Sequence, residues 1–122
     1  MPTVLFVDED ETFRKQLRAL FDHDSGFEAC VEARNGIEAL AKTTRLTLNL
    51  AVLDFSLPDT GALQLAEKLS ALMPEVPIFM LTSDYSPKVE KIALSHGIAA
   101  VFSKLDDLAT LVANARAVCG ID

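Results

Sequence analysis

The apolar stretch Thr3-Val4-Leu5-Phe6-Val7, followed at once by Asp8-Glu9-Asp10-Glu11, carries the pattern that decides the fold. Its length and its content of Val and Leu are typical of a strand that is buried on both faces. Strands of this kind belong to parallel sheets that helices cover on both sides. Four consecutive acids therefore follow a buried strand, and their charge has to be explained.

The rest of the chain alternates between apolar runs and segments with helical spacing. Further strands are predicted at residues 27–33, 48–53, 77–81 and 98–102. A helix is predicted after each strand, and the apolar positions that mark these helices are Phe13, Leu17, Leu20 and Phe21 in the first, Ile37, Leu40 and Ala41 in the second, Leu65, Ala66, Leu69 and Leu72 in the third, Ile92 and Ala93 in the fourth, and Leu108, Leu111, Val112, Ala115 and Val118 in the fifth.

Residues typical of helix ends support this division. Helix starts are expected at Asp10, Asn35-Gly36, Ser86-Pro87 and Asp106-Asp107, and Gly97 is expected to end the fourth helix in a left-handed conformation. Five alternations of strand and helix need crossover connections, which predicts an α/β fold with a doubly wound parallel sheet. At 122 residues the chain is expected to form one domain, residues 1–122, without a second catalytic or DNA-binding domain.

Composition limits the possible partners. Eleven basic residues against 18 acidic ones give a formal net charge of -7, the wrong sign for direct binding to nucleic acid. The sequence has neither a secretory signal nor an apolar run long enough to span a membrane, so a cytoplasmic protein without membrane contact is expected. Cys30 and Cys119 have no His or Cys at metal-binding spacing and are predicted to be reduced core thiols.

Candidate site residues follow four of the five predicted strands, and the second strand is followed only by Arg34 and Asn35. The candidates are Asp8-Glu9 after the first, Asp54 after the third, Thr82-Ser83 after the fourth and Ser103-Lys104 after the fifth. In an open parallel sheet, ligands bind beyond the carboxyl ends of the strands. These four groups are therefore expected to converge on one site.

The carboxylates of Asp8, Glu9 and Asp54 dominate this predicted site. Two unit charges about 4 Å apart repel by roughly 4 kcal/mol at an effective dielectric near 20, so the acids need a counter-charge or raised pKa values. Mg2+ with oxygen ligands fits best, and a solvated acidic rim is the alternative for the four-acid run.

Phosphoryl chemistry is the reaction that such a site can support. A carboxylate like that of Asp54, held against Mg2+, can attack phosphorus and form an acyl phosphate. Thr82 can then donate to one phosphoryl oxygen while Lys104 neutralises another. Taken singly, Thr82 is more typical of a strand-end cap and Lys104 of a surface lysine.

With these residues in place, the whole chain resembles the CheY-like receiver domains of two-component response regulators. The motifs that carry the resemblance are Val7-Asp8-Glu9-Asp10, Val52-Leu53-Asp54, Leu57-Pro58-Asp59 with Gly61, Met80-Leu81-Thr82-Ser83 and Phe102-Ser103-Lys104. The resemblance implies a flavodoxin-like sheet of strand order 2-1-3-4-5.

The resemblance also implies roles for the site residues. Asp8 and Glu9 would organise Mg2+. Asp54 would be phosphoacceptor and metal ligand, and the backbone carbonyl of Ser56 would be a further ligand. Thr82 then matches the switch hydroxyl and Lys104 the phosphoryl-binding lysine.

The resemblance further implies a signalling role. A sensor histidine kinase or a histidine phosphotransfer protein would supply the phosphoryl group, docking near the first helix and the loops around Asp54. The domain would assist its own phosphorylation and slow dephosphorylation without acting as an enzyme on a metabolite. Output or homodimer contacts would use the surface of the fourth helix, fifth strand and fifth helix, and the last helix weakly resembles receivers fused to LuxR-type DNA-binding domains.

Two positions depart from the family pattern. Leu105 follows the lysine where many receivers have proline, and Val101 stands three residues before Lys104 where Tyr or Phe is usual. Phe102 is adjacent but is expected to face the other side of its strand.

Two other functions remain open from the sequence. The run from Asp8 to Thr12 also fits the Asp-x-Asp-x-Thr signature of haloacid-dehalogenase-type phosphatases, with Asp8 as nucleophile and Asp10 as acid/base. The short chain and the absence of a task for Asp54 argue against that interpretation. A pseudo-receiver that binds partners without carrying phosphate is the third possibility, and it is favoured only by Leu105 and Val101.

Overall fold

In the computed structural model, which describes residues 2–121, the predicted strands all form and pair in parallel. The described elements are β1 Thr3–Val7, α1 Glu11–His23, β2 Ala29–Ala33, α2 Gly36–Thr43, β3 Leu50–Asp54, α3 Ala62–Leu72, β4 Ile78–Thr82, α4 Pro87–Ser95, β5 Ala100–Ser103 and α5 Ala109–Val118. The sheet order is β2-β1-β3-β4-β5. The predicted doubly wound, flavodoxin-like fold is therefore confirmed.

Alternation of side chains along the strands divides the core into two layers. One layer joins the sheet to α2, α3 and α4 and includes Leu5, Leu53, Leu65, Leu69 and Met80. The other joins the sheet to α1 and α5 and includes Phe6, Phe21, Val52, Phe79 and Leu111. Full burial of a side chain of this size contributes about 1.5–3 kcal/mol, so the two layers supply the main stabilisation of the fold.

The predicted helix starts are confirmed at three of four places. Asp10, Asn35 and Ser86 are the N-caps of α1, α2 and α4, and each side chain accepts a hydrogen bond from an amide three residues on. Before α5, Asp107 accepts from the amide of Ala109 at 2.9 Å, although the residue at the cap position is Leu108. Gly97 follows α4 with a φ of 89°, the left-handed conformation that the sequence predicted.

The predicted face of the second helix is only partly right: Leu40 packs against the core, but Ile37 and Ala41 are exposed. Ile37 is 72% exposed, whereas Gly36, Ala39 and Thr43 face inward. The reason is close packing: a Cβ on Gly36 would lie 2.4 Å from the side chain of Thr60. Small residues are needed on this face, so the position of the largest apolar side chain does not identify it.

The last apolar residues predicted for α3 and α5 are also outside the core. Leu72 is 58% exposed and Val118 is 45% exposed, because both helices end there. Residues just beyond the helices pack against the core instead: Met73 and Val76 after α3, and Cys119 and Ile121 after α5. Of the other predicted face residues, Leu20, Ala41 and Ile92 are exposed.

Both thiols are free. Cys30 is buried in the layer beneath α1 and α5, and burial is the main cause that raises its pKa to about 12. In the part of the chain that the structure describes, none of the helices has the length and apolar character needed to cross a bilayer.

Two leucines of α3 test the corrected helix face. We expect Leu65→Ala to lower the free energy of unfolding by about 2–5 kcal/mol, because it opens a cavity at a fully buried position. We expect Leu72→Ala, in the same helix and with the same chemical change, to cost less than about 0.5 kcal/mol. Urea denaturation measures both values, and equal losses would contradict the exposed position of Leu72.

Candidate functional site

Four side chains meet at the carboxyl edge of the sheet. Asp8 and Lys104 are the residues directly after β1 and β5, and Asp54 and Thr82 are the last residues of β3 and β4. Asp8, Asp54 and Thr82 are only 2%, 8% and 3% exposed. Strands β1 and β3 are neighbours, with Val7 paired to Leu53, so the two buried carboxylates follow adjacent strands.

The ammonium of Lys104 is the cation between these carboxylates. Its Nζ lies 2.6 Å from Asp8 Oδ2 and 3.3 Å from Asp54 Oδ1. The lysine follows β5 and the two carboxylates follow β1 and β3, so side chains from three strand ends converge to make both contacts. The Lys104 amide donates to the carbonyl of Thr82 at 2.8 Å, and the peptide bond to Leu105 is trans. The lysine therefore reaches the acids without the proline that many receivers have after it.

Burial and charge act in opposite directions on these groups. Burial, followed by the charge of Asp8, raises the pKa of Asp54, and Lys104 offsets only part of this effect. Burial alone would lower the pKa of Lys104, but its contacts with Asp8 and Asp54 outweigh burial and raise it. The lysine is thus held as a cation that neutralises part of the buried negative charge.

The four-acid run divides between the site and α1. Asp8 Oδ1 accepts from the Asp10 amide at 2.9 Å, Asp10 caps α1, and Glu11 pairs with Lys15 at 3.3 Å. Glu9 is exposed, so the structure brings together two of the three predicted carboxylates. Among residues 2–121 no group of three His, Cys, Asp or Glu is close enough to hold a metal ion by itself.

Thr82 and Ser56 hold the nearest backbone in place. The Thr82 hydroxyl oxygen accepts from the Asp84 amide at 3.1 Å. The amide of Ser56 donates to the carboxylate of Asp54, which opposes the effect of burial on the pKa of that group. The predicted role of the Ser56 carbonyl as a metal ligand stays a prediction.

Arg14 and Glu32 are site residues that the sequence did not assign. Arg14, on α1, donates to the backbone carbonyls of Asp8 and Glu9 and pairs with Glu32 at 3.2 Å. Arg18 contacts the other oxygen of Glu32 at 3.0 Å. Arg14 therefore braces the backbone of the acidic pair.

The loop after β3 is fastened to the start of α2. Asp59 Oδ1 accepts from the amide of Gly36 and Oδ2 from that of Ile37, each at 3.0 Å. The bond from Gly36 is the largest cause that lowers the pKa of Asp59. The loop that follows Asp54 is thereby tied to the loop that follows β2.

The two departures from the family pattern occupy opposite faces of β5. Val101 packs in the layer of α2, α3 and α4, whereas Phe102 lies on the other side with its ring centroid 5.2 Å from that of Phe79. The prediction that Phe102 faces the other side of its strand from Val101 is confirmed.

This site stands at the carboxyl edge of a doubly wound 2-1-3-4-5 sheet, which defines a flavodoxin-like α/β protein, and comparison with known proteins specifies the family. The family model described as response regulator receiver domain matches residues 4–116. The chain belongs to the family of response regulator receiver domains of two-component systems.

Curated relatives support this assignment. A Pseudomonas aeruginosa protein provisionally named as a transcriptional regulator is 32% identical over 118 residues, covering 97% of this chain and 56% of the relative. The response regulator protein VraR of Staphylococcus aureus is 30% identical over 95 residues, covering 78% of this chain and 46% of that protein. The chain thus spans about half the length of these two relatives.

Solved structures agree on the fold. The chemotaxis response regulator CheY4 of Vibrio cholerae has a TM-score of 0.84 at 26% identity, covering 97% of this chain and 98% of that one. A Francisella response regulator receiver domain has a TM-score of 0.89 at 20% identity, covering 98% of each chain.

The Glu32 ion pairs predict a pH-dependent contribution to stability. Burial alone would raise the pKa of Glu32, but hydrogen bonds from Arg18 and Arg14 outweigh it and lower the pKa below the usual 4.5. A carboxylate with a lowered pKa stabilises the fold above its unfolded-state pKa, and this contribution is lost as the pH falls through the folded-state value.

We therefore expect Glu32→Gln to lower the free energy of unfolding by about 1–2 kcal/mol at pH 7. The difference from wild type should shrink as the pH falls below 4.5, which denaturation at pH 7 and pH 3 measures. Glu75→Gln, on an exposed carboxylate before β4, is the control. A difference that stays constant with pH would contradict the role of the Glu32 charge.

Proposed function

We propose that Asp54 accepts a phosphoryl group from a phosphohistidine on a sensor kinase or a histidine phosphotransfer protein. The observation that carries this proposal is the convergence of the Asp8 and Asp54 carboxylates on the Lys104 ammonium at the carboxyl edge of the sheet. Membership in the receiver family supports the same donor class.

The transfer itself is a substitution at phosphorus. A carboxylate oxygen of Asp54 forms the new bond to phosphorus, and the bond between phosphorus and the histidine nitrogen breaks. That nitrogen keeps the electron pair and takes up a proton from water. Lys104 is already within 3.3 Å of Asp54 Oδ1, so it can pair with a phosphoryl oxygen after a small shift. Since the Thr82 hydroxyl accepts from Asp84, its own proton is available for another phosphoryl oxygen.

The residues fit Mg2+, the ion implied by the family. A cation already lies between two nearly buried carboxylates here, namely the Lys104 ammonium, so this position favours positive charge. The converging carboxylates of Asp8 and Asp54 would hold the ion, together with the exposed carboxylate of Glu9, which lies outside that pair, and the carbonyl of Ser56. All are the oxygen donors that Mg2+ prefers. When bound, Mg2+ supplies neutralisation of the charge on the transferring phosphoryl group.

The consequence of phosphorylation would be a shift in the contacts of Lys104 and Thr82. Lys104 follows β5, and Thr82 is the last residue of β4. A phosphoryl group that draws these two residues toward Asp54 would therefore shift the neighbouring loops toward a second conformation. The surface of α4, β5 and α5 would carry the output or homodimer contact. The transcriptional regulator among the relatives supports a transcriptional output. We propose that a LuxR-type DNA-binding domain, fused or separate, carries it. Within residues 1–122 we propose a single receiver domain, and the free thiols favour the cytoplasm.

A phosphorylation experiment tests the function directly. The chain is incubated with Mg2+ and acetyl phosphate, and any added phosphoryl mass is mapped to a residue. We expect the label on Asp54 and its loss in Asp54→Asn. Label on Asp8, or release of phosphate that persists in Asp54→Asn, would contradict a receiver and favour a phosphatase, while absence of any label would favour a pseudo-receiver.

Metal binding is tested separately by calorimetric titration with Mg2+. We expect Asp8→Asn to weaken binding by at least about tenfold, because it removes a buried negative charge from the proposed ligand set. Glu75→Gln removes a carboxylate from the opposite end of the sheet and should leave the affinity unchanged. Equal affinities of the two variants would contradict the proposed metal site.

A further inference from the structure

The Lys104 ammonium has a third neighbour, an aromatic ring on α1. Its Nζ lies 4.4 Å from the centroid of the Phe13 ring, over the ring face. Asp8, Asp54 and Phe13 thus contact the ammonium together, and the lysine side chain is only 16% exposed. The ring covers the cation with apolar surface and also attracts it, because the face of an aromatic ring is electronegative.

The lysine needs such a constraint. Its side chain is long and carries about 2 kcal/mol of rotamer entropy that must be given up when it is held in one place. The next residue, Leu105, is 81% exposed, so its side chain does not pack in the core and does not help to fix the lysine. The constraint on the ammonium therefore has to come from the groups that it touches.

Phe13 is itself positioned by the site. Asp8 Oδ1 accepts from the Asp10 amide at 2.9 Å, and Asp10 Oδ1 accepts from the Phe13 amide at 3.2 Å. The ring of Phe13 covers Lys104, and Lys104 returns to Asp8 Oδ2. These four contacts link Asp8, Asp10, Phe13 and Lys104 in a ring of interactions. The Phe13 ring and the Asp8 carboxylate are therefore positioned relative to each other, and together they hold the ammonium.

We propose that Phe13 is a positioning residue for phosphoryl transfer, whose ring face holds the Lys104 ammonium beside Asp54. The inference rests on the proposed role of Asp54 as phosphoacceptor. Through this contact the ammonium is already oriented when the phosphoryl group arrives. Without it the lysine samples positions in solvent, and transfer slows.

Fluorinated phenylalanines at position 13 test the electrostatic part of this contact. Mono-, di- and trifluorinated rings keep nearly the shape and apolar surface of phenylalanine but remove negative potential from its face step by step. We expect the rate constant for phosphorylation of Asp54 by acetyl phosphate to fall in graded steps, reaching about fivefold with the trifluorinated ring. The same replacements at Phe21, two turns further along α1 and buried away from the lysine, are the control and should leave the rate unchanged.

Two substitutions by standard amino acids and one NMR signal complete the test. Phe13→Tyr keeps an electron-rich ring and should restore most of the rate that Phe13→Leu loses. In the NMR spectrum, the ε-methylene protons of Lys104 should lie upfield of those of the other lysines because of the ring current. That shift should disappear in Phe13→Leu.

The outcomes separate the inference from the function on which it rests. If Asp54 is phosphorylated normally but the fluorinated series is flat, or if the upfield shift is absent, the positioning role of Phe13 is overturned and the receiver function stands. If wild-type Asp54 takes no phosphoryl group, both are overturned. A graded series with rescue by tyrosine supports the positioning role.

Discussion

The ion pair of Lys104 with Asp8 and Asp54 is the interaction on which the rest of the site depends. Two buried carboxylates on adjacent strands repel one another, and a separation of about 4 Å costs roughly 4 kcal/mol at an effective dielectric near 20. The ammonium offsets this repulsion and joins the end of β5 to the end of β1 across two intervening strands. The same charge balance that permits the acids to be buried would also suit the proposed phosphoryl group, whose negative charge the lysine would meet.

The sheet makes this arrangement possible through its order. Since β1 and β3 are neighbours, Asp8 and Asp54 arrive side by side, and β4 delivers Thr82 next to the strand that carries Lys104. The surrounding contacts hold both the backbone and the carboxylate: Arg14 binds the carbonyls of Asp8 and Glu9, and the Ser56 amide binds the carboxylate of Asp54. The strands and the loops at their ends are thus held in place. Of the four side chains that meet in the site, that of Lys104 is the longest.

The fold and most of the site could be predicted from the sequence because both depend on local patterns. Strand composition and cap residues such as Asp10 and Ser86 are local signals. The residues at the predicted strand ends are also readable from the sequence, and they are the ones that converge. The phase of α2 could not be predicted, because it depends on the close approach of Thr60 to Gly36. The contacts of Phe13 and Glu32 were missed for the same reason: each joins elements distant in the chain, and neither residue type signals a partner by itself.

The bidentate hydrogen bonds of Asp59 have a consequence for chain length. Asp54 is fixed by the sheet and Asp59 by the start of α2, so the four residues between them form a tether of set reach. A deletion inside this tether would have to break either the ladder of β3 or the hydrogen bonds of Asp59 to the start of α2, whereas an insertion would have to bulge outward. The fold therefore sets a minimum spacing between the two aspartates.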